Sequence, residues 1–493
     1  MGRSLRILMV ASEVEGFART GGLGDVVEAL SLALAEEGHE VLVVTPHNGV
    51  TRPPRHPTRW PGTVPARWGW GPDDVRELGI VEAEPHRFPS GGVRRVCLLD
   101  DPGLYQRAGI YGDGWGTFGD NALRFAVMSR GALEVAARVW EGTGPDVIHA
   151  HDWHATFAVV YAKLVMGEAW ANKPAVFTIH NLQFQGVLDA GQIDRLHLPR
   201  EAYRPEILWH EGHVNMMKGA TALADRITTV SPTYAKEILT PAFGFGLDGH
   251  LRAHAHRLVG IVNGIDAGRF DPSHDVALAE RYDASSFEEG RAACKAALLR
   301  EVGLHPGTGP LFGLVSRLSW QKGIDLFLAL VPEIVERGGR VLVVGQGEAP
   351  LEGQLLEIAD RYAGEVAVRI VLDPPLSRRV YAGTDCFVVP SRFEPCGLTQ
   401  MYAMRYGSIP IVTDVGGLHD TVTPVRGDAG TGFVASSPDV GALRDAIDAA
   451  FDLWAEPSAF RAAAARGMRA DFSWAVPASR YAALYDELVA SRT

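Results

Sequence analysis

Short apolar runs of about five residues alternate with longer amphipathic stretches along almost the whole chain, the pattern of parallel strands covered by helices on both faces. Residues 7–12 read as a strand, 25–37 as a helix and 40–45 as the next strand, which makes one βαβ unit. Residues 51–95, rich in Pro, Gly, Trp and Arg and weak in periodicity, read as an irregular hairpin excursion; alternation resumes with strands at 146–150 and 175–179. A second series opens near Pro310, with strands at 311–316, 340–345, 366–372, 385–390 and 409–413, and a helix at 324–337. The fold class is therefore α/β, with two Rossmann-like, doubly wound parallel-sheet domains. The polar, turn-rich stretch 264–286 marks their junction. Open sheets of this kind bind ligands beyond the carboxyl ends of their strands, so two such domains facing each other would enclose one deep cleft.

A chain of 493 residues, 46% hydrophobic and 22% charged, has room for two substantial cores. Its formal net charge of −12 repels polyanions, which argues against nucleic acid as a partner. Four scattered cysteines form neither a disulfide framework nor a zinc-ligand pattern, and no apolar stretch is long enough to span a membrane. A soluble cytoplasmic protein is expected. Of the 47 basic residues 41 are arginine, so a lysine at a motif position is informative.

Four clusters could carry chemistry. The turn Arg19-Thr20-Gly21-Gly22-Leu23-Gly24-Asp25 lies between strand and helix, where glycine amides can approach an anion; a turn required only for close packing explains it equally well. Ser316 to Gly323 places Arg317 and Lys322 five residues apart ahead of a helix, an arrangement that can aim two cations at one diphosphate. Pro390 to Gln400 sets Glu394 beyond an apolar strand, either to grip sugar hydroxyls or to cap a helix, with the amides of Gly397 to Thr399 available to an anion. Cys396 reads as a small packing residue. Finally, His149, His151, Asp152 and His154 close one strand, and His180 and Asn181 the next; core histidines are the commoner reading of the 149/151 pair, metal ligation the rarer. There is no Asp-x-Asp pair to hold a metal–diphosphate.

Together these motifs resemble the bacterial glycogen synthases and plant starch synthases, glycosyltransferases of the GT-B fold. The first turn is similar to that family's Lys-x-Gly-Gly-Leu signature, and His151-Asp152-Trp153-His154, His180-Asn181, Asn263-Gly264, Arg317 with Lys322, the run from Glu394 to Gln400, and Phe472-Ser473-Trp474 are also family-like. The resemblance implies an N-terminal, glucan-side domain over 1–262, a nucleotide-sugar domain over 263–472, and a last helix, 473–493, that crosses back to the first. It implies retaining transfer of glucose from ADP-glucose to the 4-hydroxyl at the non-reducing end of a glucan. Arg317 and Lys322 would hold the diphosphate, and Glu394, with Cys396, Gly397, Leu398 and Thr399, the donor sugar and phosphate. His180, Asp152, Asn181 and Asn263 would line the glucosyl pocket, and Arg19, Gly21, Gly22 and Asp25 would approach the nucleotide. The resemblance implies a catalytic set of Arg317, Lys322, Glu394, His180 and Asp152, with no metal and no cofactor beyond the substrate ADP-glucose. UDP-glucose as donor, a small-sugar acceptor, or a noncatalytic sugar-binding role are the alternatives. The sequence departs from the family at Arg19, where lysine is usual, at Tyr402, where many relatives carry a second glutamate, and at Leu372-Asp373-Pro374-Pro375, where a base-stacking tyrosine is usual.

Overall fold

A computed structural model of the chain describes residues 3–113 and 116–492. The chain divides into two compact units: one holds the residues up to Val230, Ala235–Gly264 and the residues from Trp474 onward, the other Ser231–Tyr234 and Ile265–Ser473.

The sheet of the first unit runs in the order Leu258–Gly260, Arg226–Thr229, Ala175–Ile179, Val147–His151, Arg6–Val10, Glu40–Pro46, Val93–Asp100, Val75–Glu82 and Thr58–Arg59. The seven strands from Leu258–Gly260 to Val93–Asp100 are parallel and the last two antiparallel. Its strands are apolar on both faces because both faces are covered: Ile7, Leu8, Met9 and Val10 are all fully buried. The helix Gly22–Glu36 buries Val26, Val27, Leu30 and Leu34, spaced for one face, with Asp25 in its first turn. The helix Ala475–Ala490 belongs to this same core, where Trp474, Ala478, Tyr481, Tyr485 and Leu488 join Met9, Val27 and Val43 in one cluster.

The sheet of the second unit is wholly parallel, in the order Val366–Ile370, Arg340–Gly345, Leu311–Val315, Cys386–Val389, Ile409–Thr413 and Phe433–Ala435. Numbered along the chain this is 3-2-1-4-5-6, the Rossmann order, with its switch point between Leu311–Val315 and Cys386–Val389. In the first unit the strand order likewise reverses between Arg6–Val10 and Val147–His151.

Three local expectations are corrected. The helix expected over 324–337 is two, Ile324–Leu328 and Val331–Glu336, because Pro332 fits a helix's first turn but not its interior. The helix expected to start at Asp25 starts at Gly22. The stretch 51–95 is more regular than expected: Val64–Arg67 and Val75–Glu82 pair as a hairpin, and residues 93–95 open a strand inside the main sheet. Arg94 and Arg95 hid that strand, and their charges are met by Glu28 and Glu82.

Candidate functional site

In the second unit, the loops after the first and fourth strands lie side by side, because Phe312 and Gly313 pair with Cys386 and Phe387. Backbone and side chain stitch them together: Arg392 N–H donates to the Gln321 carbonyl at 2.9 Å, Gln321 Nε2 to the Phe393 carbonyl at 3.2 Å, and Arg392 to the Trp320 carbonyl at 2.8 Å. Gly323, at φ +63°, permits this approach; a Cβ there would sit 1.9 Å from the Pro390 carbonyl oxygen.

On that frame Lys322 Nζ donates to Glu394 Oε2 at 2.6 Å, and Ser391 Oγ donates to the same oxygen at 2.9 Å. Sequence reasoning left Glu394 between sugar contact and helix cap. It caps nothing: the helix Thr399–Arg405 has no side-chain cap, and the carboxylate faces the lysine. Arg317 is exposed, and its guanidinium has no partner among the described residues. Cys396 is buried against Gly417, where a Cβ would lie 2.2 Å from the Cys396 carbonyl oxygen. Gly397 turns at φ +71°, its carbonyl accepting from Gln400 Nε2 at 2.9 Å, and Leu398 and Thr399 lead into the helix. Tyr402 is a core residue, stacked on Phe270 with centroids 3.8 Å apart. Leu372 is exposed, and Asp373 caps the helix Pro374–Gly383 through Leu376 N–H at 3.0 Å.

In the first unit, the glycine turn does face a carboxylate, and it is the protein's own. Buried Glu13 accepts from Thr20 N–H at 2.6 Å, Gly21 N–H at 3.1 Å, Thr20 Oγ1 at 2.9 Å and Tyr111 Oη at 2.5 Å. Arg19 is held by Glu15 at 2.9 Å and by Asp25 at 2.5 Å, so two residues expected at the nucleotide pair with each other. The only sequence trace of Glu13's part was a carboxylate ending an apolar run; its partners are set by the turn's geometry.

The histidine cluster occupies the carboxyl ends of Val147–His151 and Ala175–Ile179. Asp152 sits at φ 57°, ψ 176°, a conformation that costs a non-glycine residue about 1–3 kcal/mol. It is held there by its own N–H on the Thr178 carbonyl at 3.0 Å and by its carboxylate, which accepts from His180 N–H at 2.8 Å and Asn181 N–H at 3.3 Å. Burial pushes this carboxyl up to about 7, against the pull of those two N–H donors. Burial pushes His149 and His154 down to about 3, and His180 is lowered for the same reason. His180 Nε2 lies 3.1 Å from His151 Nδ1, a contact that spacing alone did not reveal. Asn263 is buried, and its Oδ1 has no hydrogen-bond partner among the described residues. His149 bonds Tyr485 and Thr178, and among the described residues no group of three or more His, Cys, Asp or Glu is arranged to hold a metal ion.

Two cations, Arg317 and Lys322, beyond the switch point of one Rossmann-like sheet, and a cluster of buried polar side chains at the switch point of the other, suit a glycosyltransferase of the GT-B fold. Comparison with known proteins bears this out. Residues 6–253 match the model of the starch synthase catalytic domain, and residues 296–467 that of the group 1 glycosyl transferases. The chain is 42% identical to a glycogen synthase of Myxococcus xanthus over 99% of its own length and 100% of the relative's, and 43% identical to one of Anaeromyxobacter dehalogenans over 99% and 100%. The catalytic domain of Starch Synthase IV from Arabidopsis thaliana, solved with ADP and acarbose, superposes with a TM-score of 0.89 at 31% identity, covering 99% of this chain and 100% of that one. A sucrose-phosphate synthase from Thermosynechococcus elongatus shares the fold, with a TM-score of 0.60 at 19% identity over 98% and 99% of the two chains. The chain belongs to the glycogen and starch synthase family. Among the described residues no helix is long and apolar enough to cross a membrane.

Proposed function

We propose that the chain carries out the glycogen synthase reaction: transfer of glucose from ADP-glucose to the 4-hydroxyl at the non-reducing end of an α-1,4-glucan, with retention of configuration and release of ADP. The observation that carries this reading is Lys322 held 2.6 Å from Glu394 at the switch point of a Rossmann sheet, in a chain whose relatives match it end to end. The reaction needs negative charge on the departing diphosphate to be neutralised as the sugar gains oxocarbenium character. Lys322 and Arg317, whose guanidinium has no partner among the described residues, supply the positive charge that does so. Glu394, anchored by Ser391, takes sugar hydroxyls, with Cys396, Gly397, Leu398 and Thr399 around the sugar and phosphate. In the first unit His180, Asp152, Asn181 and Asn263 receive the glucosyl unit, and the buried Asn263 Oδ1, without a partner among the described residues, is an acceptor suited to a sugar hydroxyl. Arg19, Gly21, Gly22 and Asp25 form the turn that approaches the nucleotide.

The bound ADP of the Arabidopsis relative supports an adenine nucleotide as leaving group. No metal or cofactor takes part in this reading, and the acidic protein works in the cytoplasm on a glucan, away from nucleic acid and membranes. The test is a radiolabel transfer assay with glycogen as acceptor, comparing ADP-glucose with UDP-glucose. Preference for UDP-glucose would overturn the donor assignment, and absence of transfer from either would overturn the reaction.

A further inference from the structure

His149 and His151 alternate along one strand and so share a face of the sheet, with ring centroids 4.0 Å apart. His149 is saturated: Tyr485 Oη lies 2.7 Å from its Nδ1 and Thr178 Oγ1 2.6 Å from its Nε2. His151 is only half satisfied. Its Nδ1 lies 3.1 Å from His180 Nε2, whereas its Nε2 is buried with no hydrogen-bond partner among the described residues. His180 is less enclosed, and its second nitrogen, Nδ1, has no protein partner among those residues.

Burial keeps both rings neutral, so each carries a single proton. Of the two nitrogens that face each other, one must be the donor. Were it His180 Nε2, His151 would have to carry its own proton on Nε2, as a buried N–H with no acceptor. With His151 Nδ1 as donor, that position holds only a lone pair. Orphaned buried N–H groups are the rarer and costlier defect.

From this geometry we propose that His151 is a positioning residue: it donates from Nδ1 to His180 Nε2 and thereby obliges His180 to carry its proton on Nδ1, where it is free to donate to a substrate hydroxyl. The substrate contact rests on the role proposed for His180 above, whereas the tautomer does not. Tyr485, through His149, brings the helix Ala475–Ala490 into the same buried column of rings.

The experiment is two-bond 15N–1H correlation spectroscopy on the full chain labelled in histidine, with a His180→Gln sample assigning the His180 signals. The wild type should show protons on Nδ1 of both His151 and His180, and His151→Phe should release His180 to the Nε2–H form. A wild-type His180 protonated on Nε2 overturns the proposal whatever the kinetics show. In transfer assays, His151→Phe should lower kcat about tenfold, the worth of one hydrogen bond, with little change in the KM for ADP-glucose. His151→Gln, whose amide can still donate to His180 Nε2, should recover most of that loss. A folded His151→Phe enzyme with unchanged kcat overturns the proposal. A wild-type protein that transfers no glucose overturns the functional reading alone, and the spectrum still decides the tautomer.

Discussion

Lys322 Nζ and Glu394 Oε2 stand 2.6 Å apart, so the cation expected to meet a diphosphate is neutralised by the protein's own carboxylate. A helix start disfavours a lone ammonium, and Glu394 supplies the anion that makes one tolerable there. Substrate phosphate must compete with that carboxylate for the lysine. Lys322→Ala and Arg317→Ala should each lower kcat about 10²–10³-fold, the range for loss of one preorganised charge-stabilising group, with the fold intact by circular dichroism. Rates near wild type in both would remove the second unit from the chemistry.

Gly323 joins the two loops that carry those charges. Gly323→Ala places a methyl 1.9 Å from the Pro390 carbonyl at a positive φ. The expected cost is at least about 1–3 kcal/mol in urea unfolding, with activity falling as the Lys322 loop shifts. Unchanged stability would show that the loops can separate freely.

Glu13 serves the glycine turn as an internal anion. Glu13→Leu leaves the N–H groups of Thr20 and Gly21 without their acceptor and the Tyr111 hydroxyl with only Ser12 Oγ, at about 1–3 kcal/mol for each group that stays buried and unpaired. Chemical denaturation of the variant measures this. A loss below 0.5 kcal/mol, the low end for one ordinary hydrogen bond, would mean that the turn holds its shape without the carboxylate.

The site's titrating groups act on stability with opposite signs. His149 and His154 are pushed down to about 3 by burial, while the unfolded chain has histidines near 6.5. Between those values the unfolded state binds protons the native state refuses, so stability falls as pH drops below about 6.5, by up to about 1.4 kcal/mol per pH unit for each histidine. Asp152, pushed up to about 7, works the other way: the native state keeps its proton between about 4 and 7, and stability is lost as pH rises through that window. Urea midpoints should therefore fall from pH 6.5 to pH 4, and Asp152→Asn should gain more stability over wild type at pH 8 than at pH 4. An Asp152→Asn difference independent of pH would refute the raised carboxyl.

Since charge stabilisation is assigned to side chains alone, exhaustive chelation should leave transfer activity intact. A large loss restored by Mg²⁺ or Zn²⁺ would require a different account of the histidine cluster.

Much of the fold was legible because buried parallel strands write themselves as unbroken apolar runs: 175–179, 340–345 and 409–413 begin and end where expected. Val93–Asp100 was not, since two arginines interrupt it and their partners, Glu28 and Glu82, are known only from tertiary structure. Of the site, motif residues such as Lys322, Glu394 and His180 could be named from chemistry and spacing. Their pairings could not, because Ser391 meets Glu394, His151 meets His180 and Glu13 meets the Thr20–Gly21 turn through the pairing of strands and the curl of a loop, which leave no periodic mark.

The helix Ala475–Ala490 packs into the core of the first unit, yet it is translated only after residues 265–473. The surface around Met9, Val27 and Val43 therefore stays uncovered while the ribosome makes the entire second unit, and the half of the molecule that begins first is completed last. A nascent chain stalled near residue 470 would present that apolar face to chaperones even after its later half had folded.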